Sequence, residues 1–94
     1  MGKAQYKVEG GKLVKVKLKL EADKIKEIKI TGDFFLHPEE LIEELEKTLK
    51  GSELNEEVLS DYIKAFIIKN KAVLLGVTPE DFAKCIVMAG VKID

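Results

Sequence analysis

The 94-residue chain has little of what most catalytic and metal-binding sites need. It contains one cysteine, Cys85, and one histidine, His37, so neither an internal disulfide nor a cysteine–histidine zinc cluster can form. Its apolar runs are much shorter than the ~20 residues that span a bilayer, and its first residues lack the apolar core of a signal peptide. These absences predict an intracellular, cytoplasmic protein without a membrane partner.

Neither sign of charge is in excess. The 16 basic and 17 acidic side chains give a formal net charge of −1, so no overall positive field draws the protein to nucleic acid. A composition of 46% hydrophobic and 35% charged residues is typical of a folded chain, and the length suits one domain. Because no linker or internal repeat interrupts the sequence, we expect a single domain over residues 1–94. Because the charges nearly balance, we expect no nucleic-acid partner.

The first third of the chain has the period of β-strands. Apolar and charged residues alternate strictly from Leu13 to Glu21, as they do in a strand with one buried face. Gly10 and Gly11 suit a tight hairpin to an earlier strand that contains Tyr6 and Val8. A turn at residues 22–24 leads to a third strand, in which Ile25 is out of phase and indicates a bulge. The pattern predicts a three-stranded antiparallel meander with its lysine-rich face outward.

Beyond Phe35 the apolar period becomes helical. Pro38 suits the first position of a helix that ends at Gly51. Asn55 is a candidate N-cap for a second helix, which should end near Asn70. The apolar face of this helix, expected to pack on the core, is Val58, Leu59, Tyr62, Ile63, Phe66 and Ile67. Thr78, Pro79 and Asp81 form the start of a third helix, and Gly90 is expected to close it. The fold class predicted is α+β, a three-stranded antiparallel meander followed by three helices packed on one face of the sheet.

Few residues point to catalysis. His37 lies beside Pro38, where a lone histidine is more often a capping or surface residue. Cys85 lies in an apolar helix, where cysteine usually behaves as a small hydrophobe. The glycines form no phosphate loop, because a strand follows Gly10 and Gly11. An acidic helix face without a calcium-loop pattern predicts a solvated surface; its members are Glu39, Glu40, Glu43, Glu44 and Glu46.

Two clusters invite a binding role. The first is a set of lysines on neighbouring strands, Lys7, Lys15, Lys17, Lys19, Lys26 and Lys29. They could bind phosphate or an acidic partner, or they could keep an exposed sheet from pairing with other sheets. We favour the second interpretation. The segment Gly32–Phe35 places two adjacent aromatics after a Gly-Asp turn. Either one ring is presented outward, or both enter the core and the turn only fixes the strand-to-helix crossover.

Read in order, these segments resemble the C-terminal accessory domain of lipoate–protein ligases. The resemblance covers nearly the whole chain, and its most specific part is the run Gly32-Asp33-Phe34-Phe35 at the end of a strand. The other matching segments are Gly11-Lys12-Leu13, Ile28-Lys29-Ile30-Thr31, Pro38-Glu39-Glu40, Leu45-Glu46, Leu49-Lys50-Gly51 and Gly76-Val77-Thr78-Pro79-Glu80-Asp81-Phe82.

The resemblance implies an accessory subunit that works with a separate catalytic chain. In this family the catalytic chain activates lipoate with ATP to lipoyl-adenylate, before transfer to a lysine of a lipoyl carrier domain. Met1 lies immediately before the hairpin, so the separate-subunit form found in some archaea is expected. ATP, Mg and lipoate would then bind at the partner's active site, and none to this chain alone. No catalytic residue carries over, and the candidates for contact with the partner or its active site are Gly32, Asp33, Phe34 and Phe35.

Two other functions remain open. A scaffold or carrier-binding module with an iron–sulfur-scaffold-like fold would need cysteines near a loop, and Cys85 is predicted to lie within a helix. A nucleic-acid binder that uses the lysine face would bind with a steep salt dependence.

Overall fold

A computed structural model describes residues 2–91 of the chain. It contains five strands and three helices within that range. In chain order they are β1 (Gly2–Lys7), β2 (Leu13–Glu21), β3 (Lys24–Gly32), β4 (Phe35–His37), α1 (Leu41–Leu49), α2 (Glu56–Lys69), β5 (Val73–Leu75) and α3 (Pro79–Val91).

The first three strands form the predicted antiparallel meander, in the order β1-β2-β3. Gly10 and Gly11 have positive φ angles at the first turn, and the Val8 amide donates to the carbonyl oxygen of Lys12 at 2.7 Å. The second turn uses Ala22 and Asp23, with φ angles of 53° and 63°. Two successive residues with positive φ match the right-handed twist of the strands, so they close a two-residue hairpin.

A bulge in β3 brings Ile25 onto the buried face of the sheet. Lys19 lies opposite Glu27, whereas the next residue of β2, Leu20, lies opposite Ile25, so Lys26 is the extra residue. Without it, the period of two would direct Ile25 to solvent. Ile25 is only 2% exposed, which confirms the predicted bulge.

The helices cover one face of this sheet. α1 packs on β3, α3 packs on β1 and β2, and α2 packs against α3 and α1. The core lies between them, where apolar residues of the strands meet apolar faces of the helices. Its fully buried members include Val14, Val16, Leu18, Leu45, Leu49, Leu59, Ile63, Phe82 and Ile86. The α+β class and the three helices are as predicted.

The first helix begins later than the sequence predicts. Its first residue is Leu41, not Pro38, and the peptide bond between His37 and Pro38 is cis. The strand β4 continues to His37, so Pro38 belongs to the turn between strand and helix, and its carbonyl oxygen accepts from the Leu41 amide at 3.1 Å. At the other end Gly51, with φ of 86°, follows the helix as predicted.

The predicted starts of the other two helices are confirmed. Oδ1 of Asn55 accepts from the Val58 amide at 3.0 Å, and Asn70 is the C-terminal cap of α2. At α3, the Thr78 amide donates to Oδ2 of Asp81 at 2.8 Å, while the Asp81 amide donates to Oγ1 of Thr78 at 3.2 Å. These reciprocal bonds form a capping box that satisfies two amides at the helix start.

Two predictions about the helices were wrong. Gly90 does not close α3, because the helix includes Val91. Gly90 instead allows close packing, since a Cβ there would collide with the side chain of Leu54. Tyr62 is not buried on α2 but 50% exposed, because α2 packs only part of its circumference on its neighbours.

The second sheet is not among the predictions from the sequence. β4 and β5 pair as a two-stranded antiparallel ribbon, with Phe35 opposite Leu75, Leu36 opposite Leu74 and His37 opposite Val73. Strands of three residues are too short for an alternating pattern to be recognised. The pairing joins segments that lie on either side of α1 and α2, and it leaves Phe35 and His37 on an exposed surface.

Candidate functional site

Asp33 lies where β3 ends and the chain crosses to β4. Its amide donates to the carbonyl oxygen of Leu13 at 3.2 Å, and its Oδ1 accepts from the Leu13 amide at 2.6 Å. The carboxylate therefore takes the place of a backbone carbonyl and extends the β2–β3 ladder by one pair. A charged acceptor makes such a bond stronger than a neutral one. Asp33 fixes the direction in which the chain leaves the sheet.

Gly32 is required by the same close approach. Its φ angle is 155°, and a Cβ at this position would collide with the carbonyl oxygen of Leu13. A larger residue would force β2 and β3 apart where Asp33 binds Leu13. Gly32 and Asp33 thus act on the backbone and present little chemistry of their own.

The two adjacent aromatics diverge. Phe34 is half-buried, and its ring meets that of Phe82 edge to face, with a centroid distance of 4.9 Å and an interplanar angle of 81°. Phe35 is 48% exposed and stacks on the ring of His37, with centroids 6.0 Å apart and planes at 2°. One ring is therefore presented outward, and the alternative in which both enter the core is wrong.

Phe35 belongs to an apolar patch on the outer face of the β4–β5 ribbon, which we call the ribbon surface. It comprises Phe35, His37, Val73 and Leu75. Phe35 lies opposite Leu75, and His37 lies opposite Val73, so all four project to the same side. Val73 is 46% exposed and Leu75 is 58% exposed, whereas Leu36, on the inner side, is 6% exposed. A group of exposed large apolar residues is typical of an interaction site.

A groove of about 260 Å³ runs beside the ribbon surface, between the end of β3 and the start of α1. Its walls are mostly apolar, and among the residues that the structure describes, Glu39 is the only charged one that lines it. The other lining residues are Ile30, Thr31, Gly32, Phe34, Phe35, Leu36 and Ile42. Gly32, Phe34 and Phe35 therefore line one side of the groove, and Phe35 also belongs to the ribbon surface.

In the part of the chain that the structure describes, neither Cys85 nor His37 lies in a cluster of catalytic groups. Cys85 is fully buried, with its sulfur 3.7 Å from the carbonyl oxygen of Ala4 and 3.6 Å from that of Val14. An iron–sulfur cluster is held by several cysteine thiolates, and Cys85 is the single cysteine of the sequence, which disfavours an iron–sulfur role. His37 is exposed at the end of β4.

The acidic helix face is solvated except at one residue. Glu46 was expected on that face but is 8% exposed, and its Oε2 accepts from the Ile30 amide of β3 at 2.7 Å. The bond satisfies an amide on the edge of the sheet that β2 does not pair. The exposed members are Glu39, Glu40, Glu43 and Glu44. Within residues 2–91 no group of three or more histidine, cysteine or acidic side chains could hold a metal ion.

The chain was compared with known protein families and solved structures. Residues 3–86 match the family described as the bacterial lipoate protein ligase C-terminus. The chain belongs to this family. The matched range contains the meander, the Gly32–Phe35 segment, both sheets and most of α3, so the resemblance seen in the sequence is confirmed.

One relative and one solved structure similar to this lipoate protein ligase domain come from Thermoplasma acidophilum. The chain is 43% identical over 75 residues to lipoate-protein ligase A subunit 2, a match that covers 79% of this chain and 76% of the relative. It also matches a solved structure of an archaeal lipoylation system, described as a bi-partite lipoate protein ligase and its E2 lipoyl domain. That match has a TM-score of 0.75 and 37% identity, and it covers 88% of this chain and 90% of the other.

The sequence of this ligase domain offers Gly32–Phe35 as a candidate contact, but it does not predict the pairing that places His37, Val73 and Leu75 beside Phe35. Val73 and Leu75 flank Leu74 in the alternation of a short strand, and Gly76 follows with a φ angle of 91°. That pattern of a strand before a glycine turn was the available signal. The chain also offers no helix, among the described residues, of the length and apolar character needed to cross a membrane.

Proposed function

We propose that this chain is the accessory subunit of a two-part lipoate–protein ligase. It is required, with a separate catalytic chain, for the ATP-dependent activation of lipoate to lipoyl-adenylate in protein lipoylation. The observation that carries the proposal is the similarity in fold to a solved chain of an archaeal lipoylation system with a bi-partite ligase, a match with a TM-score of 0.75 that covers 88% of this chain and 90% of the other. ATP, Mg and lipoate would bind at the catalytic chain, and the carrier domain would be reached through the complex.

The ribbon surface is the proposed contact with the catalytic chain. Four neighbouring side chains lie on one side of a short ribbon, and three of them are large apolar residues left between 46% and 58% exposed. Burying an aromatic anchor among apolar neighbours is how protein interfaces gain most of their affinity. Gly32 and Asp33 support this surface from behind by fixing the backbone before Phe35.

The function is tested by measuring adenylate formation. Lipoate-dependent release of pyrophosphate from ATP is followed with the catalytic chain of the same organism, alone and after addition of this chain, beside an assay for a one-to-one complex. We expect activity only with both chains present. Unchanged activity together with no complex would contradict the proposal.

The contact is tested with a matched pair of variants. Phe35→Ala removes an exposed ring from the ribbon surface, and Ile68→Ala removes an exposed apolar side chain, 76% exposed, from α2. We expect Phe35→Ala to weaken the complex and Ile68→Ala to leave it unchanged. Equal effects of the two substitutions would place the contact elsewhere.

A further inference from the structure

The outer face of the three-stranded sheet carries a row of like charges. Lys3 of β1 lies directly opposite Lys17 of β2, and Lys17 lies directly opposite Lys29 of β3. Side chains in such positions have Cβ atoms about 5 Å apart. Three exposed lysines on the same face flank the row. The lysine face is defined as Lys3, Lys7, Lys15, Lys17, Lys19 and Lys29.

Within residues 2–91 Glu27, opposite Lys19, is the one acidic residue directly across from a member of the lysine face, and none lies directly across from Lys3, Lys17 or Lys29. The ion pairs of residues 2–91 join Lys26 to Glu21, Lys47 to Glu44 and Lys64 to Glu80, so none involves this face. Like charges directly opposite one another destabilise a sheet. The row is therefore a cost to folding.

Protection of a sheet edge does not explain the row. Lysines discourage unwanted pairing when they lie on an edge strand. Lys15, Lys17 and Lys19, however, lie on β2, the central strand, which β1 and β3 pair on both sides. The interpretation favoured from the sequence therefore holds at most for the lysines of β1 and β3.

We propose that the lysine face is an electrostatic docking surface for an acidic surface of the catalytic subunit, an inference that rests on the proposed function. The chemistry favours a protein over a nucleic acid. All 16 basic residues are lysines, so the planar fork with which arginine binds phosphates and guanine is absent from the sequence. The exposed positions of the three paired strands carry no aromatic side chain on which a base could stack.

The lysine face is continuous with the ribbon surface. Thr31 lies opposite Lys15 in the sheet, and it also lines the groove that Phe35 borders. A partner that covers Phe35 and the groove therefore reaches the first lysines without a gap. The apolar contact would supply affinity, while the lysines would steer the partner and fix its orientation.

Lys17→Glu is the most informative substitution, because it places an acid between Lys3 and Lys29. Two repulsive pairs become attractive ones, so the fold should be retained or strengthened while the docking surface is disrupted. Lys69→Glu is the matched control, since it makes the same change of net charge at an exposed position of α2. Circular dichroism and thermal unfolding check that both variants fold.

The experiment measures the association rate of the full chain with the catalytic chain over a range of salt concentrations. We expect Lys17→Glu to slow association about 10-fold at low salt and the difference to vanish at high salt, as electrostatic steering requires. Lys69→Glu should follow the wild-type curve. Slower association of Lys17→Glu alone would support the inference.

Three results would overturn it. If the wild-type complex forms but Lys17→Glu associates at the same rate, the lysine face plays no part and the accessory-subunit function stands. If the wild-type chain forms no complex, the inference falls with the function. A double-stranded DNA oligonucleotide serves as the third probe: salt-dependent binding that Lys17→Glu abolishes would assign the face to nucleic acid instead.

Discussion

Among single residues, Asp33 joins the sheet to the ribbon. It contacts Leu13 through both its amide and its carboxylate, so one residue closes the end of the β2–β3 ladder. The sequence identifies Asp33 as part of a turn, but its partner is separated from it by the whole of β2 and β3. The sequence therefore predicts a role for Asp33 in the turn. Only the paired strands show that its carboxylate accepts a hydrogen bond from the Leu13 amide.

Asp33→Ala should lower the free energy of unfolding by about 1 kcal/mol, because the Leu13 amide loses its acceptor. Asp33→Asn keeps an oxygen at the same place and should lose less than half of that amount. Urea unfolding of the isolated chain measures both. Identical midpoints for the alanine variant and the wild type would show that the carboxylate does not stabilise the crossover.

Phe34 and Phe35 should respond in opposite ways to truncation. Phe34→Ala removes an edge-to-face contact with Phe82 and should cost about 2 kcal/mol of stability. Phe35→Ala removes an exposed ring, so its effect on stability should stay within about 0.5 kcal/mol.

Binding should show the reverse dependence. Loss of the exposed ring of Phe35 is expected to weaken the complex with the catalytic chain about 10-fold or more, as truncation of an interface anchor does. Calorimetric titration of the catalytic chain measures this effect, with thermal unfolding of each variant as the check on the fold. A Phe35→Ala chain with normal affinity but low stability would contradict the outward orientation of that ring.

Among the elements, the start of α3 shows how capping fixes a helix that the core requires. Thr78 and Asp81 exchange backbone bonds there, and Phe82, the next residue, is fully buried against Phe34. Thr78→Ala should therefore lower stability by about 1 kcal/mol. Thr48→Ala is the control, because the Thr48 hydroxyl donates only to the Glu44 carbonyl within α1. Chemical unfolding that ranks the two losses in the opposite order would argue against the capping box.

In the three-stranded sheet, a substitution is expected to raise stability and not to lower it. Lys17→Glu should raise stability by about 0.5 kcal/mol at low salt, because two cross-strand repulsions become attractions. The gain should shrink as salt screens the exposed charges. Thermal unfolding at low and high salt measures it. A variant less stable than the wild type at low salt would show that repulsion between the lysines does not destabilise the sheet.

Elements with a strong local signal could be predicted, and those fixed by distant contacts could not. The alternation of β2 and the caps at Asn55 and Thr78 need only a few neighbouring residues, and the structure has them as expected. The β4–β5 ribbon pairs residues that lie far apart in sequence, and the late start of α1 follows from that pairing. The outward position of Phe35 likewise depends on a distant contact. Phe34 packs against Phe82, and its neighbour Phe35 projects to solvent.

At the scale of the whole molecule, two surfaces adjoin on a chain whose net charge is only −1. The apolar ribbon surface continues through the groove to the lysine face, and the helices occupy the opposite side of the sheet. This division suits a small subunit that binds a larger one through a single continuous area. Membership of the lipoate protein ligase C-terminal family gives that larger chain its proposed identity.

The most direct test of the accessory-subunit account is lipoate-dependent adenylate formation by the catalytic chain of the same organism, measured with and without this protein. The account predicts that activity appears only when both chains are present, and that Phe35→Ala requires a higher concentration to restore it. Full activity of the catalytic chain alone, unchanged by adding this protein, would contradict the account.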